Sequence, residues 1–344
     1  MTGTARGFIQ TVAGPIAPEA LGPTLMHEHL LCDITPPDLA AQGEAEVPIT
    51  LENCWEIRHH WCRHRGNNRL TDIAVAVDEL ARLKRAGGGA LVEVTTQGIK
   101  PDPLGLRRIS ELSGVTVVAG CGYYVEEYLP DDLTQRSVEA LAETMLTGLT
   151  RGLMGSDVKA GIIGEIGCSD PLTGLERRVL QAAALAQRET GSSITIHPGR
   201  RPEAPAQAVE VVRESGGDPA RCILGHIDRT IFDDDTLFRL ADTGCVIEYD
   251  FFGIESAYYP FQDIDLPNDG GRLAAMGRLI ARGHLAQIVI SQDICTKTRL
   301  SRFGGHGYGY IFEHVVPMMR RRGFGEAEIE TIVVATPRRL LTLQ

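Results

Sequence analysis

His27 and His29, separated by one residue in TLMHEHLL, are the first residues of this 344-residue chain whose types and spacing suggest chemistry. Side chains two apart on a β-strand point the same way, so both imidazoles would share a face. Two nitrogens on one inward face are half of a metal site. Glu165 lies inside the apolar run GIIGEIG, where an unpaired charge is costly and calls for a metal ion or a core arginine or lysine. His197 in ITIHPGR, His226 in ILGHIDR and Asp293 in VISQDI each stand at the end of an apolar or β-branched run. Taken singly, each has a plainer reading: a surface HxH, a satisfied core histidine, a carboxylate capping a helix. Together, four histidines and two carboxylates make a nitrogen and oxygen donor set without thiolate, suited to a catalytic zinc or similar divalent ion. That is too many ligands for one tetrahedral ion that keeps a place for water. Two ions, bridged by one carboxylate and a water, account for the number.

These residues meet only if the elements carrying them converge. Short strand-like runs occur at 24–31, 91–96, 115–120, 160–167, 193–199, 222–228, 245–250 and 288–294. Between most of them lie helical patterns such as DIAVAVDELARLKRAG (72–87) and GLERRVLQAAALAQRETG (174–191), each closing at a glycine after basic residues. The strand cores are apolar on both faces, as parallel strands covered by helices should be. Eight βα units predict an α/β fold, a (β/α)8 TIM barrel over 1–344 in one domain, with the metal centre at the C-terminal ends of the strands. A doubly wound open sheet is the alternative, but no Gly-rich phosphate loop follows the first strand. Two insertions stand out, 32–70 and 251–272. The first contains WEIRHHWCRHR, read as an amphipathic helix over the barrel mouth. Its His59, His60 and His64 are not read as a further metal site. His306, in GGHGYGY, either shapes the pocket or serves a turn.

Composition narrows the function. The chain is 43% hydrophobic and 23% charged, ordinary for a soluble globular protein. A net charge of −11 disfavours nucleic-acid binding, which needs a basic face. No apolar run reaches the roughly 18 residues of a membrane span. The first thirty residues lack a basic segment followed by an apolar one, so no signal peptide is expected and cytoplasmic placement is. Eight cysteines occur singly, without a CxxC pair, and read as buried thiols in a reducing compartment.

The stretches TLMHEHLL, GIIGEIG, HPGRRPEAP, GHIDRTIFD, IEYDFFGIE and QDICTKTRLSRFGGHGYGYIFEHVVPMM resemble the phosphotriesterase family of the amidohydrolase superfamily. Within it, the chain is most similar to the phosphotriesterase-related, resiniferatoxin-binding and parathion-hydrolase-related proteins. The resemblance implies two divalent ions per chain: zinc, or else manganese or cobalt. It assigns His27, His29 and Asp293 to the more buried ion, and His197 and His226 to the more exposed one. Glu165 would bridge them, where the phosphotriesterases proper carry a carboxylated lysine. A hydroxide shared by the two ions would attack the substrate, with Asp293 as ligand and proton shuttle.

Two departures bear on substrate. Phe251 stands where those enzymes have a relay histidine, and Arg229 where they have a second acid, so organophosphate turnover is expected to be weak and promiscuous. The pocket candidates are Tyr124, Arg200, Arg229, Lys297 and Arg299, a cationic rim suited to a carboxylate or sulfonate. The branch is linked to N-acyl amino-sulfonates such as N-acetyltaurine, which makes hydrolysis of an anionic N-acyl amide the leading expectation. A lactonase or carboxylesterase is the alternative, and a non-catalytic ligand-binding barrel a second one. The expected partner is a small-molecule substrate, with a homodimer possible.

Overall fold

The structure is a computed structural model and describes residues 7–42, 47–256 and 258–343. Eight parallel strands run in sequence order: β1 (Thr24–Glu28), β2 (Ala90–Glu93), β3 (Thr116–Cys121), β4 (Ile162–Gly167), β5 (Ile194–His197), β6 (Cys222–Leu224), β7 (Val246–Tyr249) and β8 (Ile288–Ile290). Each pairs with the next, for example Leu91 with Val117, Ile163 with Ile194 and Ile247 with Ile288. Strands that neighbour each other in strict order form a barrel, so the open doubly wound sheet is ruled out. Among the described residues no ladder joins β8 to β1. The seam is closed beyond the strand ends, where the Asp293 amide donates to the His27 carbonyl at 3.2 Å.

Alternation along the strands builds two layers of core. Met26, Val92, Val118, Ile223, Val246 and Val289 fill the barrel interior. Their neighbours Leu25, Leu91, Val117, Leu224, Ile247 and Ile288 face the surrounding helices. The lower end is plugged by Ile9, Leu21, Leu340 and Leu341, so the barrel interior opens at its upper end. The two helices expected from periodicity are present. α1 (Ile73–Ala86) is capped by Asp72 and ended by Gly87 at φ 102°. The helix Gly174–Thr190 opens with a Thr173–Glu176 capping box and ends at Gly191 at φ 69°. No helix among the described residues is long and apolar enough to cross a membrane.

Several strands stop earlier than the sequence pattern suggests. The backbone turns left-handed at His226 (φ 56°) and at Asp293 (φ 48°), so both lie on turns beyond β6 and β8. The expected helix over the mouth is also shorter. It covers Cys54–His59 and breaks at His60, followed by a tight turn Trp61–Arg63, so His60 and His64 do not share a helix face.

The second insertion is anchored by Arg272, which is fully buried. It bonds Asp228 at 2.8 Å, Asp269 at 2.7 Å and the Ile254 carbonyl at 2.7 Å. Asp228 also receives the Phe251 amide, and Asp269 that of Gly253. Arg272→Met would strand two buried carboxylates. The expected loss is about 3–5 kcal/mol of stability, read as a lower urea midpoint. A midpoint equal to the parent's would show that the network does not hold this loop.

Candidate metal centre

Glu165 projects from β4 into the barrel mouth, 2% exposed, and its two oxygens face different histidines. Oε1 lies 3.3 Å from His29 Nε2. Oε2 lies 3.1 Å from His197 Nδ1, 3.5 Å from His27 Nε2 and 3.7 Å from His226 Nε2. Asp293 Oδ1 stands 3.4 Å from His29 Nε2 and 4.0 Å from His27 Nε2. All six residues singled out in the sequence therefore surround one point.

The outer atoms of three histidines fix where their protons sit. His27 Nδ1 meets Glu248 Oε2 at 3.2 Å, and His226 Nδ1 meets Asp250 Oδ1 at 3.0 Å. A carboxylate accepts only, so each Nδ1 carries the hydrogen. His29 Nδ1 meets Thr95 Oγ1 at 2.9 Å, and that hydroxyl gives its proton to Glu93 Oε1 at 2.5 Å. Thr95 thus accepts from His29. In all three rings Nε2 is then the atom that points inward, and His27 Nε2 is buried without a hydrogen-bond partner. Lone pairs and carboxylate oxygens this close repel unless a cation or a proton lies between them. The donor set fits a divalent metal centre, and His27, His29 and Glu165, like Glu165, His197 and His226, offer ligand atoms within 4.8 Å of one another.

Protons respond to the same field. Burial opposes the charge on His29, but the bonds and charges of Asp293 and Glu165 outweigh it and raise its pKa to about 9. Burial works against the Glu165 carboxylate too, yet the neighbouring histidines hold it well below the usual range. Burial and the nearby His226 push His197 down to about 3.

A cavity of about 270 Å³ opens above these groups. Tyr124 forms one wall, its ring edge-on to His197 at 5.3 Å. Arg200 and Arg229 line it as expected. Arg200 donates to the Tyr259 hydroxyl at 3.3 Å and covers the Phe261 ring at 4.5 Å. Arg229, 1% exposed, donates to the Pro198 carbonyl at 3.0 Å and lies 3.2 Å from His197 Nε2. The other two rim candidates are elsewhere. Lys297 sits in the tight turn Lys297–Arg299, which aims it at a separate cavity beside Leu30, Leu70 and Phe303. Arg299 folds back beneath Trp61, donates to the Asp293 carbonyl and stands 3.7 Å from Asp293 Oδ2, so it braces Asp293 instead of facing the cavity.

The insertions roof the cavity with Trp61 from the first and Phe251, Tyr259 and Phe261 from the second. They meet in a ring stack, Trp55 on His59 at 5.2 Å and His59 on Tyr258 at 4.5 Å. His306 packs against Gly253, away from the histidine cluster. Sequence reasoning missed Glu93, Glu248 and Asp250. Their signal was the one that revealed Glu165: an acid inside a strand run, here LVEVTT and CVIEYD.

Because His29 carries its proton up to about pH 9, a metal ion must displace it. Metal affinity should fall from pH 8 to pH 6, with proton release on binding, measured by calorimetry in buffers of different ionisation enthalpy. Affinity that is flat with pH, without proton release, would rule out this donor set as the binding site.

Residues 7–341 match the Phosphotriesterase family. The N-acetyltaurine hydrolase of Tetraodon nigroviridis is 41% identical, covering 98% of this chain and 99% of its own. The N-acetyltaurine hydrolase of Homo sapiens is 40% identical with the same coverage. Among solved structures, a resiniferatoxin-binding protein from Rhodobacter sphaeroides superposes with a TM-score of 0.91 at 35% identity, covering 97% of this chain and 95% of that one. The phosphotriesterase homology protein of Escherichia coli, solved with phosphate in its active site, gives 0.78 at 27% identity, covering 94% and 99%. With a match from end to end and a histidine–carboxylate cluster at the mouth of the barrel, the chain belongs to the phosphotriesterase family.

Proposed function

We propose that the chain hydrolyses the amide bond of a small anionic N-acyl compound, N-acetyltaurine first among them, at a centre of two divalent ions. The names of its relatives point the same way. The observation that carries the reading is Arg229. It is a buried guanidinium in the cavity wall, and among the described residues no carboxylate lies within ion-pair distance of it. An unpaired buried charge costs several kcal/mol, and a nearby pair of cations raises that cost. Arg272, equally buried, has two carboxylates. A substrate sulfonate supplies the missing charge, and Arg200 adds a second cation on the same side.

His27, His29 and Asp293 would hold one ion, His197 and His226 the other, with Glu165 between them. Zinc suits the set best, with manganese or cobalt as substitutes. Such ions, when bound, acidify a water to near neutrality and polarise a carbonyl. The residues do the rest. Arg229 and Arg200 orient the anion. The aromatic roof keeps bulk water out. Asp293 is held ionised by its bond to His29 and by the charges of His226, His27 and Arg299, in spite of burial. Its carboxylate can take the proton of the attacking water and give it to the departing amine nitrogen, leaving acetate and taurine. Phe251 packs on His226 at 5.2 Å between ring centres and offers no proton acceptor, which supports weak phosphotriester turnover. All eight cysteines are free thiols, which supports a cytoplasmic place of action.

The test pairs a charged with an uncharged substrate. Arg229→Ala should raise KM for N-acetyltaurine by roughly 30-fold or more, the loss of a charge pair worth at least 2 kcal/mol, while hydrolysis of a neutral lactone changes little. Equal losses on both, or no turnover of N-acetyltaurine by the metal-loaded parent, would sink the reading.

A further inference from the structure

Three successive amides beyond β8 point back at β1. Those of Gln292 and Ile294 donate to Glu28 Oε1 and Oε2, both at 2.9 Å, and that of Asp293 to the His27 carbonyl at 3.2 Å. Asp293, between the two gripped amides, has φ 48°, a region that residues other than glycine seldom adopt. Successive N–H groups around a left-handed residue form a concavity that binds anions. Here the anion is the chain's own carboxylate. Glu28 is wholly buried, stands between His27 and His29, and is absent from the cavity lining. Ser291 Oγ donates to the same Oε1 at 2.8 Å and accepts the His27 amide at 2.9 Å. Since no ladder joins β8 to β1 among the described residues, the Gln292 and Ile294 amides would otherwise be buried and unsatisfied.

We propose that Glu28 is a positioning residue for Asp293: its carboxylate grips the amides on either side and so holds the Asp293 side chain against His29. The idea rests on Asp293 acting in the reaction as described above. Glu28 touches neither cavity nor substrate, so it acts only through the backbone it holds. A carboxylate suits the task because it accepts on both oxygens. The amide of Glu28→Gln would set N–H against N–H at one of the two grips.

Two variants separate positioning from plain support of the seam. Glu28→Gln should lower kcat for N-acetyltaurine by roughly 10–100-fold with KM unchanged, and weaken retention of one of the two ions by a similar factor. The visible spectrum of the cobalt-loaded protein should shift as well. Ser291→Ala removes one bond to the same carboxylate and the acceptor of the His27 amide, but leaves both amide grips beside Asp293. It should lower Tm and leave kcat and the cobalt spectrum at parent values. If Glu28→Gln, corrected to its folded, metal-loaded fraction, matches the parent or Ser291→Ala, Glu28 only supports the seam and the proposal is overturned. If Glu28→Gln does not fold, Glu28→Asp keeps the charge and loses reach. A fall in kcat at constant KM then supports the proposal, and parent kcat overturns it. If the parent itself fails to turn over N-acetyltaurine, the functional reading falls, while ion retention and the cobalt spectrum of Glu28→Gln still decide the role of Glu28.

Discussion

The structure depends on one arrangement that an apolar barrel would ordinarily reject: four imidazole rings crowded around a buried carboxylate. His226 Nε2 approaches His197 Nδ1 to 2.9 Å, and Glu165 stands between them and the pair on β1. No packing of these groups is favourable without positive charge among them. The rest of the fold makes the arrangement tolerable. The strands are rigid because alternate residues lock them to the interior and to the helices. The lower end is plugged by apolar side chains, and the histidine–carboxylate cluster gathers at the top. The unusual backbone at His226 and Asp293 is confined to turns just outside the sheet, where leaving the ladder costs no strand pairing.

A second set of acids makes the first possible. Glu248, Asp250 and the Thr95–Glu93 pair each hold the outer nitrogen of a histidine, which turns the inner nitrogen into a lone-pair donor. These groups are buried as deeply as the cluster they serve, and burial pushes Glu248 and Glu93 up to about 7. Their contribution is orientation and tautomer, not stability. An apolar residue at Glu248 would pack more cheaply and leave His27 free to turn its hydrogen inward.

The six inner residues were legible in the sequence because strand alternation and chain order in a barrel are both strong rules. Once β1, β4, β5, β6 and β8 were recognised, residues at their ends had to meet. Legibility failed where direction is set by a single turn. Lys297 and Arg299 follow Asp293 closely enough to suggest the same rim, but the left-handed residue and the tight turn after it send one outward and fold the other beneath Trp61. The insertion helix failed similarly, since nothing in WEIRHHWCRHR announces a break at His60. The outer acids could have been read. Glu248 and Asp250 interrupt an apolar run just as Glu165 does, and a buried acid beside a histidine strand has few other uses.

The two buried arginines show how the same barrel is turned from scaffold to receptor. Arg272 lies between Asp228 and Asp269, fully neutralised, and fixes the loop that roofs the cavity. Arg229 follows Asp228 in sequence, yet that acid is already taken by Arg272, and the guanidinium of Arg229 is left with carbonyl, hydroxyl and imidazole partners only. Neighbouring side chains thus compete for one carboxylate, and the loser faces the cavity with charge to spare. On the proposed reading, anion selectivity comes less from adding an arginine than from giving its natural partner to another. Arg200 repeats the pattern, holding a tyrosine hydroxyl and an aromatic face in place of an acid. The pair sets two cations among the carboxylates that line the same cavity, and on the proposed reading a substrate with a neutral acyl end and an anionic end has one favourable direction to enter.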